Sequence, residues 1–174
     1  MCINIIYSYL LQRKLSPRMS LSKTIDVKEL NNHLKKGQRL LCLDVGTKTL
    51  GVAISNGELT ISTPISIITR KNLTNDVLEL NKIIFSRNIG ILIIGLPINM
   101  DGSEGPKCQS VRQFVKNISK TIELNIIFWD ERLSTKAVEK LMIANDTTRA
   151  KRKKKIDKEA ASYILQGVLD HINY

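Results

Sequence analysis

Asp44, Glu131 and Asp157 are acids far apart in the chain, each at a place where solvation alone is a poor explanation for it. Asp44 closes the apolar run Leu40-Leu41-Cys42-Leu43, so it falls at the carboxyl end of what reads as a central strand, where a charge is costly to bury without a partner. It could simply cap the turn before Gly46. The residues that follow suit a phosphate instead: Gly46 permits close backbone approach, and Thr47 and Lys48 offer a donor and a positive charge. Glu131 comes after the apolar stretch Ile126-Ile127-Phe128-Trp129, and strand alternation leaves open whether it or Asp130 is the structural acid. Asp157 opens the segment IDKEAASYILQGVLD, where helix capping is the ordinary use of an Asp. Ala160, Ala161 and Ile164 share its helical face, and so small a face would let the helix press against a sheet and carry Asp157 toward Asp44. Glu159 lies on a different face and is the alternative third acid. Three carboxylates without a catalytic His fit hard divalent cations, Mg²⁺ or Mn²⁺. Two such ions about 3.5–4 Å apart can clamp the attacking and leaving oxygens of a phosphodiester.

Other site chemistries find little support. His33 and His171 are too scattered for a His-rich metal centre, and no Ser-His-Asp or Cys-His arrangement competes. Cys2, Cys42 and Cys108 have no CxxC spacing and are odd in number, which reads as reduced thiols in a cytoplasmic protein.

The acids need a frame that brings them together, and the hydrophobic pattern supplies one. Residues 26–36 read as a short amphipathic helix capped by Asp26 and stopped at Gly37. Strands over 39–44, 50–55 and 61–69, joined by short turns, suggest an antiparallel meander. Beyond them, helices over 74–87, 104–120 and 134–144 alternate with short apolar strands over 91–94 and 125–129. A basic linker over 145–155 precedes a last helix over 156–172. Apolar strands alternating with helices imply parallel strands covered on both faces. The expected order is β-β-β-α-β-α-β-α-α, an α/β fold with one mixed five-stranded sheet. Asp44 and Glu131 would then meet at the carboxyl edge, where open α/β sheets place their sites. Gly95 and Pro97 read as a turn after a strand, and Asp101 to Gly105 as a flexible polar loop into a helix.

The chain has 174 residues, a net charge of +11 and 43% hydrophobic residues, which suits one ordinary domain with a real core and a polyanionic partner. From Arg132 to Lys158 there are ten Lys/Arg against three Asp/Glu. Aromatics make up only 5%, too few for a base-stacking platform, so phosphates are the expected contact. The candidate nucleic-acid-binding residues are Thr47 and Lys48, Lys107 and Arg112 near a helix start, Arg132, and Arg149, Lys151, Arg152, Lys153 and Lys154 in the basic run. Met1 to Leu11 is apolar but too short to span a bilayer as a helix, and it lacks the basic start of a signal peptide. Residues 1–22 read as a poorly ordered extension, with Met19 an alternative start, and residues 23–174 as the domain. No membrane segment is expected.

Four segments taken together resemble the YqgF/RuvX family: LDVGTKTLGVAIS (43–55), IIGLPINMDGSEG (93–105), DERLST (130–135) and DKEAASYILQ (157–166). The resemblance implies a ribonuclease-H-like fold and the acidic active-site positions Asp44, Glu131 and Asp157. It implies a nuclease of precursor 16S rRNA, with a Holliday-junction-like DNA substrate as the alternative. The first 38 residues lie outside the family pattern. DVGTKTLGVA also looks like the first phosphate motif of the actin and sugar-kinase superfamily, but a second such motif and a second lobe are missing. The protein is expected to be a monomer or weak homodimer. A non-catalytic RNA-binding assembly factor would use the basic stretch and tolerate loss of Asp44.

Overall fold

The computed structural model describes residues 22–133 and 149–174, with 149–158 given as helical backbone only. A 3₁₀ turn, Val27–Glu29, runs into a single α-turn, α1 (Leu30–His33). Asp26 starts it as the sequence suggests: its carboxylate accepts from Lys28 N, and Glu29 reaches back to Asp26 N. The helix is much shorter than 26–36, and Gly37 lies beyond it in a left-handed turn at φ +82°.

Three strands follow, β1 (Arg39–Val45), β2 (Thr49–Ser55) and β3 (Ser62–Thr69). Then come α2 (Leu73–Ser86), β4 (Ile89–Leu96), α3 (Pro106–Ile118) and β5 (Asn125–Asp130). α2 is capped by the Asn72 side chain on Asn75 N, and α3 begins with Pro106, whose fixed φ suits a first helical position. The sheet order is β3-β2-β1-β4-β5; β1, β2 and β3 pair antiparallel, while β4 pairs parallel with β1 and with β5. This is the mixed five-stranded, ribonuclease-H-like sheet expected above. Ahead of the 3₁₀ turn, Lys23 and Ile25 bond to Ile126 of β5, and the Ser22 hydroxyl donates to the Ile122 carbonyl.

The last helix, α4, spans Arg149–Ile172. It corrects the expected start at 156: the basic run from Arg149 to Lys155 forms its first turns instead of a linker. Lys and Arg are good helix formers, so a charge run is no bar to helix. Asp157 is therefore well inside the helix and does not cap it. The helix expected over 134–144 and the extension over 1–21 lie outside the described residues.

Each face of the sheet has its own core. Leu41, Leu43, Leu92 and Ile94 pack under α2 and α3; Leu40, Cys42, Ile91, Ile93, Ile127 and Trp129 pack under α4 and Leu30 of α1. Leu165, Val168 and Leu169 of α4 are fully buried, each side chain contributing about 1.5–3 kcal/mol by the area it removes from water. Polar contacts fix the far end of α4. Gln166 donates to Thr60 O and Asn173 to Leu59 O, in the β2–β3 turn at the amino edge of β1. α4 thus enters from the carboxyl edge of the sheet and ends at the amino edge.

Candidate active site

Strand alternation decides where the first acid goes. Leu40 and Cys42 face α4, so Asp44 faces the same way. Its neighbour across β2 is Gly51, where a Cβ would stand 3.4 Å from Asp44 Cβ and 3.5 Å from Ala161 Cβ. Without a side chain there, α4 comes down beside Asp44 through the small residue predicted to allow it, and Ala161 is 3% exposed.

The same logic separates the two acids at the end of β5. Ile127 and Trp129 face α4, so Asp130 points to the other side and Glu131 returns to the α4 side. Glu131 N–H donates to Leu96 O at 3.2 Å, continuing the register with β4. Asp130 is engaged locally: it accepts from Arg132 N at 3.0 Å and from the Arg132 guanidinium at 2.6–3.0 Å. That pairing holds its carboxyl below the usual aspartate range.

Between the two strands that carry the acids runs β4, and Gly95 is its residue on this face. A Cβ there would stand 2.7 Å from Glu131 Oε1 and 2.7 Å from Ile164 Cδ1. Gly95 thus lies inside β4 and serves as a seat for Glu131 and α4, where the sequence suggested a turn. Gly51 and Gly95 were missed as site residues; their signal was a glycine within a strand at the level of an acid on the next strand.

The acids share a cleft of about 320 Å³ at the carboxyl edge, lined also by Gly46, Thr47, Pro97, Lys107 and Ser110. Burial, then the negative charge of Asp44, push Glu131 up to about 7; Lys107 pulls the other way. Beneath them Cys42, fully buried, has its thiol pushed well up by burial and by the same two carboxylates. Cys42 and Cys108 are both free and buried.

Among the described residues, no group of three or more His, Cys, Asp or Glu side chains is arranged to hold a metal ion. The side chain of Asp157 lies outside the described residues. Its backbone position is one turn before Ala161 on the same face, on the carboxyl-edge side. The alternative acid, Glu159, accepts a 2.7 Å hydrogen bond from the Tyr163 hydroxyl.

The predicted phosphate contacts divide into two groups. Thr47 and Lys107 line the cleft, and Lys48 is exposed beside Thr47. Arg112 instead forms a two-point pair with Glu104 at 2.8 and 2.5 Å and lies over the Phe128 ring. Arg132 is held by Asp130 and also donates to Asn99 O at 3.3 Å. It thereby pins the β4–α3 loop, which is internally bonded where the sequence suggested a flexible connector: Asp101 accepts from Ser103 N and Oγ, and Asn99 N–H donates to Ser103 O. Arg149, Lys151, Arg152, Lys153 and Lys154 lie on the first turns of α4, and their side chains are outside the described residues.

A family model described as RuvX, Holliday junction resolvase, matches residues 38–171. A relative from Bartonella bacilliformis named "Putative pre-16S rRNA nuclease" is 49% identical over 148 residues, covering 85% of this chain and 92% of that protein. One of the same name from Roseobacter denitrificans is 50% identical over 135 residues, 76% of this chain and 83% of that protein. Among solved structures, T. thermophilus RuvC in complex with Holliday junction substrate aligns with a TM-score of 0.49 at 7% identity, over 78% of this chain and 96% of that one. The yeast mitochondrial Holliday junction resolvase Ydc2 aligns at 0.47 and 10% identity, over 82% of each.

Proposed function

The chain belongs to the RuvX family, and on that premise we propose that it is a divalent-metal-dependent nuclease hydrolysing phosphodiester bonds of precursor 16S rRNA in the cleft between Asp44 and Glu131. The observation that carries the reading is the pairing of these two acids on one face of the sheet, with Gly51 and Gly95 keeping their side free for a helix and a ligand. The donor set fits Mg²⁺ or Mn²⁺: carboxylate oxygens close enough that one raises the other's proton affinity, a repulsion that a cation between them relieves. Asp157 is the proposed third ligand. Its support is the path of α4, which brings position 157 to the carboxyl edge, together with the engagement of Glu159 by Tyr163.

A bound pair of ions would supply activated water and stabilise the leaving oxygen. The chain's own groups do the rest. Asp44 and Glu131 fix where the ions sit. Lys107 brings positive charge to the cleft wall, and Thr47 and Lys48 offer donors to a phosphate beside Asp44. The basic first turns of α4 follow the RNA backbone without reading its sequence. The domain comprises residues 23–174, with residues 1–22 an extension. We place it in the cytoplasm as a monomer or weak homodimer; no described helix is long and apolar enough to cross a membrane.

The test is a cleavage assay on structured precursor rRNA and on a four-way DNA junction, with Mg²⁺ or EDTA, beside Asp44→Asn. RNA cleavage that needs metal and disappears in Asp44→Asn is the expected result. Cleavage surviving either change overturns the carboxylate mechanism. Cleavage of the junction alone makes DNA the substrate, and RNA binding without cleavage under every condition marks an assembly factor.

A further inference from the structure

Arg70, just past β3, grips the β1–β2 turn twice. Its main-chain N–H donates to Lys48 O at 2.9 Å, and its Nη1 donates to Gly46 O at 2.8 Å. The guanidinium lies over the Phe114 ring, 4.8 Å from the centroid, and its Nε meets Asp76 Oδ2 at 3.3 Å. Asp76 is 1% exposed, and its other oxygen has no hydrogen-bond partner among the described residues. A half-buried pair whose carboxylate is fully buried is an expensive way to fasten a turn, since a well-packed apolar pair of similar volume is usually as stable or more so.

The turn so held carries Gly46 and Thr47 of the cleft wall and lies directly after Asp44. A Cβ at Gly46 would stand 2.9 Å from Thr49 O, so the turn in this shape needs glycine there. Gly46 N–H is taken by Thr49 O, and the carbonyls of Gly46 and Lys48 are taken by Arg70. Among the described residues, the N–H groups of Thr47 and Lys48 have no protein acceptor. Successive free N–H groups in a turn form an anion-binding concavity.

We propose that Arg70, braced by Asp76, is a positioning residue: it turns the carbonyls of the β1–β2 turn away and so presents the N–H groups of Thr47 and Lys48 to a substrate phosphate next to Asp44. This rests on the nuclease reading above. The Arg fork reaches the Gly46 carbonyl and Asp76 together, which a Lys cannot do.

The test compares the wild type with Arg70→Lys and with Arg70→Met/Asp76→Leu, which removes both charges and leaves neither buried alone. The double variant is expected to keep the wild-type melting temperature and lose about 100-fold in kcat, the scale of a displacement of about 1 Å at a site, with KM little changed. Arg70→Lys is expected to lose kcat as well. A folded double variant with wild-type kcat shows that Arg70 is only a fastener and overturns the proposal; if the double variant does not fold, unchanged kcat in Arg70→Lys does so. A third arm uses the wild type in EDTA, where a short single-stranded RNA should shift the amide resonances of Thr47 and Lys48. Unmoved amides overturn the proposal. Absence of cleavage by the wild type itself counts against the nuclease reading, while the amide measurement still decides this one.

Discussion

Removing metal should make this protein less stable as the pH rises, in a window set by Glu131. Burial and the charge of Asp44 raise its carboxyl from the ordinary value of 4.5 to about 7 in the folded state. Below 4.5 the group is protonated in both folded and unfolded chains and contributes no slope. Between 4.5 and about 7 the folded protein holds a proton that the unfolded chain has lost, so each rise in pH favours unfolding. Above about 7 the two states are again alike. At about 1.4 kcal/mol per pH unit the interval corresponds to about 3 kcal/mol, an upper figure because the carboxylate pair can relax apart. Urea denaturation in EDTA at half-unit steps from pH 4.5 to 8 measures it, and the difference between wild type and Glu131→Gln isolates the group from all others. Saturating Mg²⁺ or Mn²⁺ should remove the fall by taking the proton's place, adding about 2.7 kcal/mol at a hundredfold excess over Kd. A Glu131→Gln protein with the same slope as wild type, or a wild type that gains stability over this range relative to it, would refute the reasoning.

Gly95→Ala should cost about 1–3 kcal/mol and about 100-fold in cleavage, because the new methyl meets Glu131 Oε1 and Ile164 Cδ1 at 2.7 Å; Gly51→Ala, with contacts of 3.4 and 3.5 Å, should keep most of its activity, and thermal melts beside single-turnover rates compare them. Lys107→Met takes a positive charge from beside Glu131, so the acid limb of the cleavage profile should move to higher pH; movement to lower pH contradicts the sign. Asp130→Asn should retain cleavage within about tenfold while Asp44→Asn loses it, because Asp130 serves Arg132 and the β4–α3 loop; equal loss in the two variants would return Asp130 to the site.

Much of this arrangement was legible in the chain because apolar runs that end abruptly in an acid are unusual. Asp44 after Leu40–Leu43 and the acids after Ile126–Trp129 gave both strands and the edge at which they end. What alternation alone left open was the choice between Asp130 and Glu131, since it needs the knowledge of which face α4 covers, and that depends on residues about thirty positions further on. Gly95 read as punctuation because a glycine near a strand end ordinarily is; its role as a seat arises from Glu131 and Ile164, neither of them near in sequence. Arg112 and Arg132 read as phosphate contacts because a sequence shows charge but not the carboxylate already beside it. The basic run read as a linker because its charge obscured its helix propensity. Arg70 and Asp76 carried no signal at all, because their partners Gly46 and Phe114 are brought together only by the sheet and α3.

The two-sided burial of the sheet has a consequence for how the chain finds its own alignment. Leu40 to Leu43 and Ile91 to Ile94 are apolar on both faces, so a slip of β1 against β4 by one residue would exchange one aliphatic side chain for another at little cost in hydrophobic burial. What such a slip would not tolerate is Asp44 buried under α2 and α3, or bulk in place of Gly51 and Gly95 where α4 must pass. The residues that make the cleft are thus also the fiducial marks by which the strands are aligned, and misalignment would destroy catalytic competence and nativeness together.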